Sequence, residues 1–152
     1  MTAAVVVMTS AVLTPVASPA FAAETAWRDP VRSLQRAAYP LRSTEPGRNT
    51  ADLRALGGMI GGAKVVGLGE ATHGSHEFFT MKERVFRYLV EEKGFRAFAL
   101  ELSWSAGLEI DEYVQTGKGD VRELAKRTLA GSPWDREEFV DLIRWMRDHN
   151  RA

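Results

Sequence analysis

The expected fold of this chain follows from the stretch VVGLGEATHGSHE, which spans Val65 to Glu77. It opens with a short apolar run over Lys64–Leu68, which is typical of a buried strand and stops at Gly69. Four ionisable side chains then fall within eight positions: Glu70, His73, His76 and Glu77. Ser75 is a suitable N-cap for the long amphipathic helix that follows. Open α/β sheets place their chemistry where a strand ends in such a turn and a helix begins.

A second predicted strand, FRAFAL over Phe95–Leu100, follows that helix after Gly94 and ends at Glu101. The order β–α–β–α indicates a parallel, right-handed unit. Two parallel strands cannot form a sheet that is covered on both faces, and no third strand is evident before Ala152. The sequence therefore predicts the α/β class, as the parallel β-α-β-α start of a larger multi-strand domain that is incomplete in this chain.

The N-terminal residues have the composition of an export signal. Residues 1–22 are predicted to be a signal peptide, because no charged residue precedes Glu24 and the apolar segment closes on Ala20-Phe21-Ala22, an A-x-A-like cleavage site. A basic n-region is missing. The apolar run over residues 3–13 is short for the ~20 residues of a membrane span. We therefore expect a secreted or cell-envelope protein with no stable membrane association after cleavage.

The remaining residues divide into a helical segment over residues 23–63 and a main domain over residues 64–152. Lysine plus arginine and aspartate plus glutamate both number 20, so the charge balance gives no basic footprint for nucleic acid. The absence of cysteine excludes disulfides, thiol nucleophiles and cysteine-ligated zinc.

Two carboxylates and one histidine form the predicted catalytic group. Glu70 and Glu101 each follow a predicted strand, so a parallel pair would bring them to one edge of the sheet. His73 lies in the loop between Glu70 and the helix, and flanking carboxylates hold an imidazole in one tautomer and raise its basicity. Glu70 can alternatively be a first-turn acid that a helix dipole favours. An unpaired carboxylate at the end of an apolar strand is costly to bury, which favours a function for Glu101.

Further polar residues surround this group. Arg84 is a candidate for stabilising a developing oxyanion. The candidates for substrate binding are His76, Glu77, Lys82 and Trp104. The alternative for His76 and Glu77 is a solvated position beside the helix cap, and for Lys82 it is the surface.

A metal site is the chemical alternative. His73 and His76 are three residues apart, and nearby glutamates could complete a Zn²⁺ site. The spacing does not match H-E-x-x-H, and the remaining histidine, His149, lies far along the chain. We therefore predict no metal.

The run GEATHGSHEFFTMKERVFRYLVEEKGFRAFALELSW, from Gly69 to Trp104, resembles the N-terminal part of the erythromycin esterase family, which includes relatives described as succinoglycan biosynthesis proteins. FVDLIRWMRDHN, from Phe139 to Asn150, is also similar to that family. The resemblance implies an α/β hydrolase-type domain that opens an ester or lactone by water attack, with no cofactor. Macrolide-type ring opening is one such activity. The expected partner is accordingly a small-molecule ester or lactone.

The resemblance also implies roles for single residues. The general base of the family falls on His73, and its two supporting glutamates fall on Glu70 and Glu101. Lys82 stands where the macrolide-cleaving members have arginine, and Arg84 is two residues on. Members run to several hundred residues with further histidines in their C-terminal half, so we expect this chain alone to be inactive, as a fragment or a relic. Since related architectures include haem-binding proteins, a non-enzymatic module that binds metal or haem through His73 and His76 is the alternative.

Overall fold

The structure is a computed structural model that describes residues 29–47 and 49–152. The described residues fall into two units, one that ends at Ala38 and one that begins at Tyr39 and ends at Ala152. The described part of the first unit holds helix α1 (Pro30–Ala37). The second unit holds a 3₁₀ helix (Ala51–Leu53) and α2 (Arg54–Ile60), α3 (His76–Lys93), α4 (Trp104–Thr116), α5 (Val121–Thr128) and α6 (Glu137–Arg151). The predicted signal peptide lies outside the described residues.

The predicted α/β class is wrong for the part of the chain that the structure describes, which contains helices and no strand. Neither Lys64–Leu68 nor Phe95–Leu100 pairs with another segment, so there is no parallel β-α-β-α unit. Five side chains of these segments are partly buried: Val66, Leu68, Phe95, Phe98 and Leu100. These side chains pack on two different helical clusters. The apolar runs predicted buried strands, but a strand needs a backbone partner, and an apolar run does not specify one.

Helix α3 is the central element, and its ends are where the sequence predicts them. Ser75 is at the N-cap, although its hydroxyl donates to the Glu77 carboxylate at 2.8 Å and caps no backbone N–H. Gly94 ends the helix with φ of 73°, a left-handed conformation that favours glycine. Between these ends the helix contributes Phe79 and Phe86 to one hydrophobic cluster.

That first cluster joins α3 to the C-terminal helices, with α6 packed against α3, α4 and α5. Its aromatic centre is Trp134, which lies in the turn between α5 and α6. The Trp134 ring meets Phe139 edge to face with ring centroids 5.2 Å apart, and Phe79 at 6.3 Å. Such edge-to-face pairs fix ring orientation as well as burying apolar area.

The second cluster lies on another side of α3, where Leu53, Val85, Tyr88 and Leu89 are buried together. Val66 and Leu68 pack against it, and Glu70 follows directly in the chain. The packing of α2 and the 3₁₀ helix on α3 therefore positions the stretch that carries the candidate site. Within residues 29–47 and 49–152, the helices are all too short or too polar to cross a membrane.

Candidate active site

Glu70, His73 and Lys82 form the Glu70 cluster at the start of α3. One carboxylate oxygen of Glu70 binds Nδ1 of His73, and the other accepts a hydrogen bond from Nζ of Lys82. The side chains of Glu70 and Lys82 are only 8% and 12% exposed, whereas that of His73 is 61% exposed. The carboxylate is thus enclosed between a cation and an imidazole that remains open to water.

The protonation states of the cluster follow from its bonds. Burial raises the pKa of Glu70, but the hydrogen bonds from Lys82 and His73 outweigh burial and hold it below its usual 4.5. The carboxylate is therefore ionised at neutral pH and can only accept hydrogen bonds. Nδ1 of His73 must then carry the proton, which leaves the lone pair of the neutral ring on Nε2. This is the tautomer that a general base requires.

Trp134 is the residue of the site that the sequence did not reveal. Its ring centroid lies 5.6 Å from that of His73 in an edge-to-face arrangement, and 5.3 Å from Nζ of Lys82. Its Nε1 donates a hydrogen bond of 2.9 Å to the backbone carbonyl of Glu101. Because Trp134 is 61 positions from His73, no local motif signals this contact.

Glu101 comes near the cluster through its backbone. Its carboxylate makes no hydrogen bond to His73 among the described residues. The shared sheet edge expected for Glu70 and Glu101 does not form, and the indole of Trp134 links the two regions. The catalytic role of Glu101 stays a prediction.

His76 belongs to a separate charged group. Its Nδ1 lies 2.5 Å from a carboxylate oxygen of Glu138 on α6, and its Nε2 lies 3.6 Å from one of Glu45. The bond to Glu138 is the largest cause that raises the pKa of His76 above 6.5. Since His73 and His76 bind different carboxylates, the structure does not bring them together as ligands of one ion. No group of three or more acidic or histidine side chains suited to a metal occurs in the described part of the chain.

Arg84 and Trp104 lie apart from the Glu70 cluster. The Arg84 side chain is 1% exposed, and its guanidinium donates to both oxygens of Asp52 at 2.6 and 3.2 Å. It also donates to the backbone carbonyls of Ser43 and Asn49, each at 2.8 Å. This network ties the segment before α2 to α3, which is a structural task that the sequence pattern did not indicate.

Trp104 begins α4 and is 82% exposed. It lines a cavity of about 1100 Å³ together with Phe98, Leu100, Leu108 and Met146, and none of the Glu70 cluster lines that cavity. Glu77 lies at the start of α3, where a backbone hydrogen bond and the Ser75 hydroxyl lower its pKa. The substrate-binding roles of Trp104, Glu77, His76 and Lys82, and the catalytic role of Arg84, stay predictions.

Comparison with known proteins links this arrangement to one family. The family model for erythromycin esterase matches residues 90–152. The chain is 30% identical over 113 residues to an erythromycin esterase type II of Escherichia coli, an alignment that covers 74% of this chain and 26% of that protein. The resemblance to the erythromycin esterase family is confirmed.

Two solved structures also match this chain. A succinoglycan biosynthesis protein is 46% identical with a TM-score of 0.72, over 80% of this chain and 30% of that one. A Bacillus cereus protein is 44% identical with a TM-score of 0.73, over 80% and 28%. The chain spans about a quarter of the length of the curated relatives it matches, at 26% and 25%.

Proposed function

We propose that this chain supplies the general base of a hydrolase that opens an ester or lactone in a small-molecule substrate, macrolide-type rings included. The observation that carries the proposal is the bond between Nδ1 of His73 and the ionised carboxylate of Glu70. It leaves Nε2 as the basic atom of a side chain that water can reach. The similarity to an erythromycin esterase type II supports the choice of bond that is cleaved.

In the proposed reaction, Nε2 of His73 takes a proton from a water molecule while the water oxygen bonds to the ester carbonyl carbon. The carbonyl electron pair moves onto its oxygen. Glu70 stabilises the imidazolium that forms, because it already accepts the Nδ1 proton. When the tetrahedral intermediate collapses, the ester carbon–oxygen bond breaks and the alkoxide takes the proton back from Nε2. Glu101 is proposed to assist in polarising His73, as the family resemblance implies.

The test is hydrolysis of a panel of esters and macrolide lactones by the protein expressed from its full reading frame. His73→Ala should lower kcat by about 10²–10⁴-fold, the usual contribution of a general base. Its fold should persist by circular dichroism, because His73 is exposed. His149→Ala is the matched control, since His149 stacks on Trp145 at 5.1 Å, outside the cluster. Turnover that survives His73→Ala would remove His73 from the base role.

We further propose that residues 24–152 alone do not hydrolyse esters, since this chain aligns with only 26% and 25% of the length of the curated relatives. Measurable turnover by this purified segment would contradict that proposal. Export with cleavage after residue 22 is also proposed, and N-terminal sequencing of the mature protein tests it.

A further inference from the structure

Trp134 touches all three parts of the candidate site. We propose that Trp134 is a positioning residue that holds His73 and Lys82 around Glu70 and fixes the backbone of Glu101 beside them. The inference rests on the proposed role of His73 as the base. It assigns to a residue of the α5–α6 turn the task of orienting groups that lie at the start of α3.

The first contact restrains Lys82. Its ammonium lies 5.3 Å from the ring centroid of Trp134 and 5.8 Å from that of Phe79. Aromatic rings attract a cation, and the attraction strengthens where water is excluded. A lysine on a flexible stem would otherwise extend to water. The two rings thus keep the ammonium where it can donate to Glu70 and hold that carboxylate ionised.

The second contact restrains the His73 ring. His73 projects from a loop and is largely exposed, and its hydrogen bond to Glu70 restrains the ring at one nitrogen only. The Trp134 ring lies 5.6 Å away at 86°, an edge-to-face geometry that favours one orientation of the imidazole. Together the two contacts keep Nδ1 facing Glu70 and therefore keep the lone pair on Nε2.

Trp134 is itself firmly held. It is 7% exposed, and it packs edge to face on Phe139 of α6 and on Phe79 of α3. Its backbone N–H donates to the hydroxyl of Ser132 at 3.2 Å, and that hydroxyl donates to the carbonyl of Leu129 at 2.6 Å. Because Trp134 packs on both α3 and α6, its ring is held in a fixed place relative to these helices. A residue that supports a catalytic group must be held in this way.

Substitutions separate the ring of Trp134 from its N–H donor. Trp134→Phe keeps an aromatic face for His73 and Lys82 but cannot bond the Glu101 carbonyl. Trp134→Leu removes both. Trp145→Leu is the matched control, because Trp145 also has a histidine stacked on it, His149 at 5.1 Å, and a cation over it, Arg87 at 4.9 Å.

The readout is the tautomer of His73, measured by long-range ¹H–¹⁵N correlation spectra of the labelled chain. The wild type and Trp134→Phe should show the Nδ1–H form, whereas Trp134→Leu should show mixed tautomers. Trp145→Leu should leave His73 unchanged. In turnover, Trp134→Leu should lower kcat by about 10- to 100-fold with little change in KM, since misplacing a base by about 1 Å costs that much.

A folded Trp134→Leu protein that keeps the wild-type His73 tautomer would overturn the inference, as would an equal change in Trp145→Leu. If Trp134→Leu does not fold, the inference is tested on the wild-type protein. Nuclear Overhauser contacts from the Trp134 ring to His73 and Lys82 support the inference, and their absence overturns it. These readouts do not depend on the hydrolysis assay, so the base role of His73 can fail while the positioning by Trp134 stands.

Discussion

Gly57 of α2 lies directly against Tyr88 of α3, and Gly57→Ala tests how closely these helices must approach. A β-carbon at position 57 would lie 1.9 Å from the Tyr88 hydroxyl oxygen and 2.9 Å from Cζ. Non-bonded atoms prefer about 3.5 Å, so the ring or the helix must shift by roughly 1.6 Å. Tyr88 is buried among Leu53, Val85 and Leu89 and has little room to move.

The expected cost combines two opposing effects. Overpacking a well-filled core costs about 1–3 kcal/mol, and an overlap this deep belongs at the upper end. Alanine in a helix regains about 1 kcal/mol over glycine. Gly57→Ala should therefore lower the free energy of unfolding by about 2 kcal/mol. Its neighbour Gly58 has no atom within 4 Å of its would-be β-carbon, so Gly58→Ala should raise stability by about 0.5–1 kcal/mol.

Urea unfolding followed by far-ultraviolet circular dichroism measures both changes. Adding Tyr88→Phe to Gly57→Ala removes the atom at 1.9 Å and should restore part of the loss. The same loss in both backgrounds would show that the hydroxyl overlap is not its cause. The reasoning fails altogether if Gly57→Ala is as stable as Gly58→Ala. A shift of α2 or of the Tyr88 ring would also displace Val66 and Leu68, which pack on the second cluster and precede Glu70 in the chain.

Three further predictions concern charge. Arg84→Met should lower the urea midpoint more than Arg122→Met, because Arg84 pairs in the interior and Arg122 pairs at the surface; equal midpoints would contradict this. The bond from Arg84 lowers the pKa of Asp52 to about 2, so this stabilisation should be lost as pH falls from 3.8 towards 2. Glu138 raises the pKa of His76, so that pair should stabilise fully below pH 6.5 and lose its effect as pH rises through the raised value. Glu138→Gln should reduce that pH dependence in urea titrations, leaving the smaller effects of Glu45 and Glu77, and an unchanged profile would refute the pairing.

Contacts between near neighbours in the chain were open to prediction from the sequence. Glu70 and His73 are three residues apart, and the structure joins them in one short turn. Gly94 ends α3 where the sequence predicts it, because glycine readily adopts the left-handed conformation of a helix end. Ser75 is at the predicted N-cap, although its hydroxyl bonds Glu77 and not a backbone N–H.

Long-range partners were not open to prediction in this way. The sequence placed Arg84 as a possible oxyanion donor, but Arg84 is buried in an ion pair with Asp52, 32 residues earlier. His76 pairs with Glu138, 62 residues later, and Trp134 reaches His73 from the α5–α6 turn. The predicted strands have no backbone partner in the part of the chain that the structure describes.

The local sequence therefore specifies the helix α3 and the Glu70–His73 pair, since both depend on backbone preferences and reach within a turn or two. The packing of α2, α5 and α6 on α3 specifies the rest: which cations are buried, which histidine meets which carboxylate, and which aromatic ring holds the base. These contacts depend on how apolar faces from distant parts of the chain pack together. A pattern of neighbouring residues does not specify that packing.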